Sequence, residues 1–159
     1  MQFVVIRQAA ENTVPLEKRE RGLTAQDELC ALAEWLRCHD SNPSRYLTSA
    51  AAEAQATANW LCSELAGDPT SVQAVDVLMP GEPPFSLKDL ASYVQLMGPK
   101  KTSSGVVAII GNEPQLQALV HAMTEVWYRP LEPALALLLE QTDWKRHEVG
   151  KAKPKWSGL

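Results

Sequence analysis

Cysteine is scarce in this chain. Cys30, Cys38 and Cys62 make an odd number, and no pair shows CxxC spacing. That excludes a disulfide framework and the usual zinc-ribbon arrangement. No apolar run approaches the roughly 18 residues of a membrane-crossing helix, and no basic, apolar and small-residue leader opens the chain. The expected compartment is therefore the reducing cytoplasm, with no membrane partner. Positive charge is not in excess either. Fifteen basic side chains stand against 19 acidic ones, a net charge of −4, so electrostatics supply no drive toward nucleic acid or anionic lipid. There is no internal repeat and no low-complexity stretch. Histidine is limited to His39, His121 and His147. The fragment Cys38-His39-Asp40 has no second cluster to complete a metal site, and no cofactor is expected.

What is present is an alternation of strand and helix signals. Phe3-Val4-Val5-Ile6 is continuously apolar and β-rich, which suits a strand covered on both faces. Residues 8 to 22 are charged and contain Pro15, and read as a surface loop. Thr24 is placed to cap a helix whose apolar positions Leu29, Leu32, Ala33 and Leu36 recur at helical spacing up to Cys38, before Asp40-Ser41-Asn42-Pro43 breaks it. Tyr46-Leu47-Thr48 is a short strand, after which Ser49 opens an alanine-rich helix that Gly67-Asp68-Pro69 stops. A strand over Val72 to Leu78 and a Pro/Gly loop at 80–84 follow. Ser86 then caps a helix through Met97, closed by Gly98-Pro99. Val106 to Ile110 is a strand, and Pro114 fits the first turn of a helix with Leu116, Leu119, Val120 and Met123 on its buried stripe. Pro133 to Leu139 is compatible with strand or helix. The preceding succession favours a strand, paired with Asp143 to Val149. The tail, 151–159, is basic and expected to be loosely ordered.

Length and apolar content, 159 residues and 45%, suit one core and so a single domain over 1–150. Strands alternating with helices predict a three-layer α/β/α sandwich with a mainly parallel central sheet. In such sheets ligands bind beyond the carboxyl ends of strands. The positions to inspect are Arg7-Gln8-Ala9, Ser49 to Glu53, and Gly111-Asn112-Glu113.

At those three places the chain resembles the SixA-like branch of the histidine phosphatase superfamily, whose fold is phosphoglycerate mutase-like. That family opens with a strand ending in Arg-His-Gly, where this chain reads Arg7-Gln8-Ala9. A Leu-Thr pair opening the first helix is matched by Leu23-Thr24. A strand ending in Ser, followed by Arg-Ala-x-x-Thr-Ala, is matched by Leu47-Thr48-Ser49 and Glu53-Ala54-Gln55-Ala56-Thr57-Ala58. A later strand leads into Gly-His-Asn-Pro in the family and into Gly111-Asn112-Glu113-Pro114 here. The order and spacing cover most of the chain.

The resemblance implies a phosphoryl-transfer pocket in which the first histidine is phosphorylated, while arginines and the second histidine hold the phosphoryl oxygens. Arg7 retains one guanidinium for an anion. Gln8 replaces the nucleophile, and an amide nitrogen, its lone pair delocalised into the carbonyl, cannot accept a phosphoryl group as imidazole does. Losing such a nucleophile removes on the order of 10⁶ in turnover. Asn112 replaces the second histidine and keeps a donor without charge. Glu53 replaces an arginine and reverses the charge. The expectation is no catalytic residue and a ligand-binding set of Arg7, Gln8, Ser49, Glu53, Asn112 and Glu113, with an Arg7–Glu53 ion pair standing where phosphate would lie.

Plainer explanations exist for each residue. Arg7 suits any strand end, Glu53 any helix N-terminus, and Ser49 a helix cap. The resulting expectation is a catalytically inactive homologue acting as a binding or regulatory module, with a protein partner or a phosphorylated or acidic segment as its ligand. The alternative is an active phosphohydrolase in which Glu113 or Glu53 serves as acid or base.

Overall fold

The structure is a computed structural model and describes residues 2–8, 25–75, 105–124, 136–140 and 153–156. Outside those residues lie the expected loop beyond Gln8, the Leu23-Thr24 pair, the segment 80–99 with its Ser86-capped helix, and the proposed strand 143–149.

Six strands form one sheet: β1 (Gln2–Arg7), β2 (Arg45–Thr48), β3 (Val72–Ala74), β4 (Val106–Gly111), β5 (Ala136–Glu140) and β6 (Lys153–Trp156), in the order β3-β2-β4-β1-β5-β6. The β3–β2, β2–β4 and β4–β1 pairings are parallel, and β5 runs antiparallel to both β1 and β6. The continuous apolar runs mark the sheet centre. Phe3, Val4, Val5 and Ile6 are fully buried, as are Ala108, Ile109 and Ile110, because each strand has a neighbour on both sides and helices above and below.

Among the described residues, three α-helices cover the sheet: α1 (Ala25–Cys38), α2 (Ala52–Glu64) and α3 (Gln115–Thr124). Leu32, Ala33 and Leu36 of α1 join Ala54, Ala58, Leu61 and Cys62 of α2 in one apolar cluster. These spacings of three and four residues are what a helix needs to present a single face. The cluster takes Val4 and Ile6 from β1, Ala108 and Ile110 from β4, and Ala136 and Leu138 from β5, the alternate residues of each strand. The intervening residues Phe3, Val5, Ile109, Leu137 and Leu139 are also buried and face the opposite side. There α3 packs against β1, with Leu116, Leu119, Val120 and Met123 buried. The result is the expected α/β/α sandwich with a mainly parallel sheet.

Details differ from the sequence reading. Ala136–Glu140 is a strand, with β1 on one side and β6 on the other. The tail expected to be loosely ordered supplies β6 over Lys153–Trp156. α2 ends at Glu64, three residues before the glycine that seemed to stop it. Ala66 carries the left-handed conformation, with φ 55°. The Ala66 N–H donates to the Ser63 carbonyl, and the Gly67 N–H to the Cys62 carbonyl at 2.7 Å. This paired arrangement closes a helix C-terminus by satisfying its last carbonyls. α1 ends the same way, with Asp40 at φ 51°, Asp40 N–H donating to Arg37 and Ser41 N–H to Leu36. Among the described residues, no helix is long and apolar enough to cross a membrane.

Candidate functional site

The chain leaves β1 for α1 on one face of the sheet and leaves β4 for α3 on the other. Because β1 and β4 are neighbours, their carboxyl ends form a topological switch point, the place where open α/β sheets have their ligand crevice. The register sets what meets there. Arg7 pairs with Gly111, and Thr48 with Ile110. The ladder runs one step further on each side. Gln8 N–H donates to the Gly111 carbonyl at 2.8 Å, and Ser49 N–H to the Ile110 carbonyl at 3.0 Å. Gln8, Ser49 and Asn112, widely separated in sequence, thus emerge along one edge of the sheet.

Asn112 is the best-defined side chain of the group. Its Oδ1 accepts from Arg7 Nε at 3.1 Å and from the Glu113 backbone N–H at 2.9 Å. Two donors on one atom identify it as the carbonyl oxygen and so fix which way the amide faces. Glu113 turns the other way. Its Oε2 accepts the Gln117 N–H at 3.1 Å, placing a carboxylate at the positive end of α3. This geometry gives Glu113 a structural task and weakens its candidacy as a substitute acid or base.

The expected Arg7–Glu53 ion pair does not form. Among the described residues, the Arg7 side chain donates to Asn112, and the ion pairs are those of Arg37 with Glu34 and Glu64. The sheet order supplies the reason. Glu53 sits in the first turn of α2, beyond β2, and β4 lies between β2 and β1, so two strand spacings, about 10 Å, separate the strands. Asn112 follows the strand next door. Glu53 stays half-buried, its backbone carbonyl accepting from Thr57 Oγ1 at 2.8 Å.

Ser49 is not a helix cap. The residue at that position is Ala51, extended and without any side-chain cap bond. Ser49 is 1% exposed, and its Oγ has no hydrogen-bond partner. Gln8 Oε1 is likewise buried without a partner. Two polar atoms that most folds would satisfy therefore stand at the strand ends on either side of β4. Between Ser49 and Arg7 the sheet carries Gly111, which contributes no side chain.

Two supporting residues escaped the sequence reading. Thr48 Oγ1 donates to the Ser49 carbonyl at 2.8 Å, and Gln55 Nε2 to the Ala50 carbonyl at 2.9 Å, bracing the turn that carries Ser49. A hydroxyl at the end of a buried strand was the available signal for Thr48. Gln55 offered none. The Cys38-His39-Asp40 fragment is spent locally. His39 lies against Trp35, with ring centroids 4.5 Å apart, its Nδ1 is 2.8 Å from the Trp35 carbonyl, and Cys38 Sγ approaches Glu34.

No protein-family model matches the chain, and neither does any curated protein. Solved structures do. The protein histidine phosphatase SixA complexed with tungstate superimposes with a TM-score of 0.69 at 19% identity, covering 98% of this chain and 95% of that one. SixA from Agrobacterium tumefaciens gives 0.60 at 15% identity, with 88% of each chain covered. The mycobacterial glucosyl-3-phosphoglycerate phosphatase gives 0.57 at 14% identity, with 98% and 96% covered. Identities this low speak for architecture, and on that ground the chain has the phosphoglycerate mutase-like fold of the histidine phosphatases.

Proposed function

We propose that this protein is a non-catalytic relative of the histidine phosphatases that uses the crevice between β1 and β4 to bind a ligand, as a binding or regulatory module. The observation that carries the reading is Gln8. It stands where the family resemblance puts the nucleophilic histidine, directly after Arg7 at the switch point. Its amide nitrogen has its lone pair delocalised into the carbonyl and does not take up a phosphoryl group as imidazole does. The surroundings support this. Asn112 brings a neutral amide where a second imidazole would sit, and Glu53 stands where the resemblance puts an arginine, so that cation is missing. SixA has been captured with tungstate, a tetrahedral oxyanion. In this chain such an oxyanion would meet fewer cations than phosphoryl transfer needs to stabilise its transition state. The protein acts in the cytoplasm under this reading.

Hydrolysis of a phosphohistidine peptide and of an aryl phosphate tests the proposal, with the unaltered chain beside a Gln8→His/Glu53→Arg/Asn112→His variant. The expected result is no turnover above background in the former and measurable turnover in the latter. Turnover by the unaltered chain that disappears in Arg7→Ala would sink the reading and favour a phosphohydrolase with a substitute catalytic group.

A further inference from the structure

The hydrogen-bonding character of the crevice follows from atoms already placed. Asn112 Oδ1 is fully used by Arg7 Nε and the Glu113 N–H. The Nδ2 end of the amide must therefore face away from both, and among the described residues it has no partner. It offers two N–H donors. Gln8 follows the register pair Arg7↔Gly111 on the neighbouring strand, so its backbone starts about 4.8 Å from that of Asn112. Its Oε1 is buried and accepts nothing. Donor and unfilled acceptor thus belong to residues that follow neighbouring strands in register, both neutral, at the sheet's switch point. Ser49 adds a buried hydroxyl, able to give or to take, at the next strand end but one.

We infer that the crevice recognises a carboxamide, whose N–H would donate to Gln8 Oε1 while its C=O accepts from Asn112 Nδ2, and that it discriminates against phosphate. The inference rests on the reading of the crevice as a binding site and names its ligand chemistry. A phosphoryl dianion carries acceptors only. Against Gln8 Oε1 it would set oxygen against oxygen, leaving a buried acceptor unsatisfied. A carboxamide satisfies both groups at once, by the same complementarity that pairs two amides. Arg7 serves as a positioning residue. By holding Asn112 Oδ1 it fixes which end of that amide a ligand meets.

The test is a titration of the full-length ¹⁵N-labelled chain followed by NMR, with acetamide, inorganic phosphate and acetate as separate probes. Acetamide is expected to move the side-chain amide signals of Gln8 and Asn112 at millimolar concentration, while phosphate and acetate leave them in place. Asn112→Asp keeps the oxygen that Arg7 and Glu113 hold but replaces the Nδ2 donor with an acceptor, and is expected to weaken acetamide by about tenfold. Gln8→Met, which removes the acceptor at similar size, is expected to do the same. Unchanged backbone signals elsewhere show that both variants fold. A blocked Ala-Gln-Ala peptide separates the sources. Binding at least tenfold tighter than acetamide assigns the carboxamide to a protein segment, and equal binding assigns it to a small molecule. Phosphate shifting Gln8 and Asn112 while acetamide does not would overturn the inference in favour of a phosphorylated ligand. No response to any probe would overturn it too, leaving the buried atoms to ordered water. Either failure is separable from the question of catalysis, which the hydrolysis assay answers independently.

Discussion

Individual side chains at the crevice make opposite contributions to stability, and substitution should reveal the difference. Ser49 buries a hydroxyl without a hydrogen-bond partner among the described residues. Removing such a group relieves its desolvation cost, so Ser49→Ala should stabilise the ligand-free chain by about 1 kcal/mol, read as a rise in the urea midpoint with unchanged slope. Asn112→Ala should do the reverse. It strips two donors, one of them charged, from their shared acceptor, at a cost of about 2 kcal/mol. Tyr46 gives a pH test. It is fully buried with its hydroxyl unpartnered, and burial, with the nearby Cys62 thiol second, pushes its ionisation well above the ordinary value of 10.0. Above about pH 10 the unfolded chain releases this proton while the folded chain keeps it. Stability attributable to this group is intact below pH 10 and falls by about 1.4 kcal/mol per pH unit above it. Denaturant titrations between pH 9 and 11 should show a shallower alkaline loss for Tyr46→Phe. The residues that gather at the crevice were legible in sequence because each directly follows a strand. The partner of Arg7 was not, since it depends on which strand lies next to which.

At the scale of elements, the helix ends carry the clearest consequences. Both α1 and α2 close through a left-handed residue that is not glycine, Asp40 and Ala66. A Cβ in that conformation costs roughly 1–2 kcal/mol, offset in part by the greater freedom that glycine has in the unfolded chain. Ala66→Gly should therefore raise stability by about 0.5–1 kcal/mol, measurable as a higher thermal midpoint. Periodicity predicted α1 and the buried stripe of α3 well, because a helix packed on one face writes its spacing into the sequence. The start of α2 was harder. Composition marked the helix, but Ser49 looked like its cap, and only the path of Ala50 and Ala51 shows that the serine belongs to the sheet edge. Arg37 Nη2 donates to the Glu64 carbonyl at 2.9 Å, tying the end of α2 to α1. No local pattern announces a contact across 27 positions.

For the molecule as a whole, the sheet order β3-β2-β4-β1-β5-β6 is the organising fact. It places β1 and β4 together at the centre and closes the β5 side with a strand from the basic tail. Without residues 151–159, β5 would become an edge strand of three consecutive leucines flanked by bare backbone groups, a template for wrong pairing. A chain truncated after residue 150 should unfold at lower denaturant and form higher-mass species at concentrations where the full chain does not, as light scattering would show. The amino-acid sequence by itself determined the alternation of strands and helices, the burial of Phe3 to Ile6 and Val106 to Ile110, and the absence of imidazole at Gln8 and Asn112. Those properties are local, written in composition, periodicity and residue type. Tertiary structure alone decided that Arg7 holds Asn112 and not Glu53, that the tail completes the sheet, and that Gln8 and Ser49 bury atoms without partners. Each of these depends on neighbours brought together across the sheet, and the spacing between strands, not the spacing in the chain, sets which groups can reach one another.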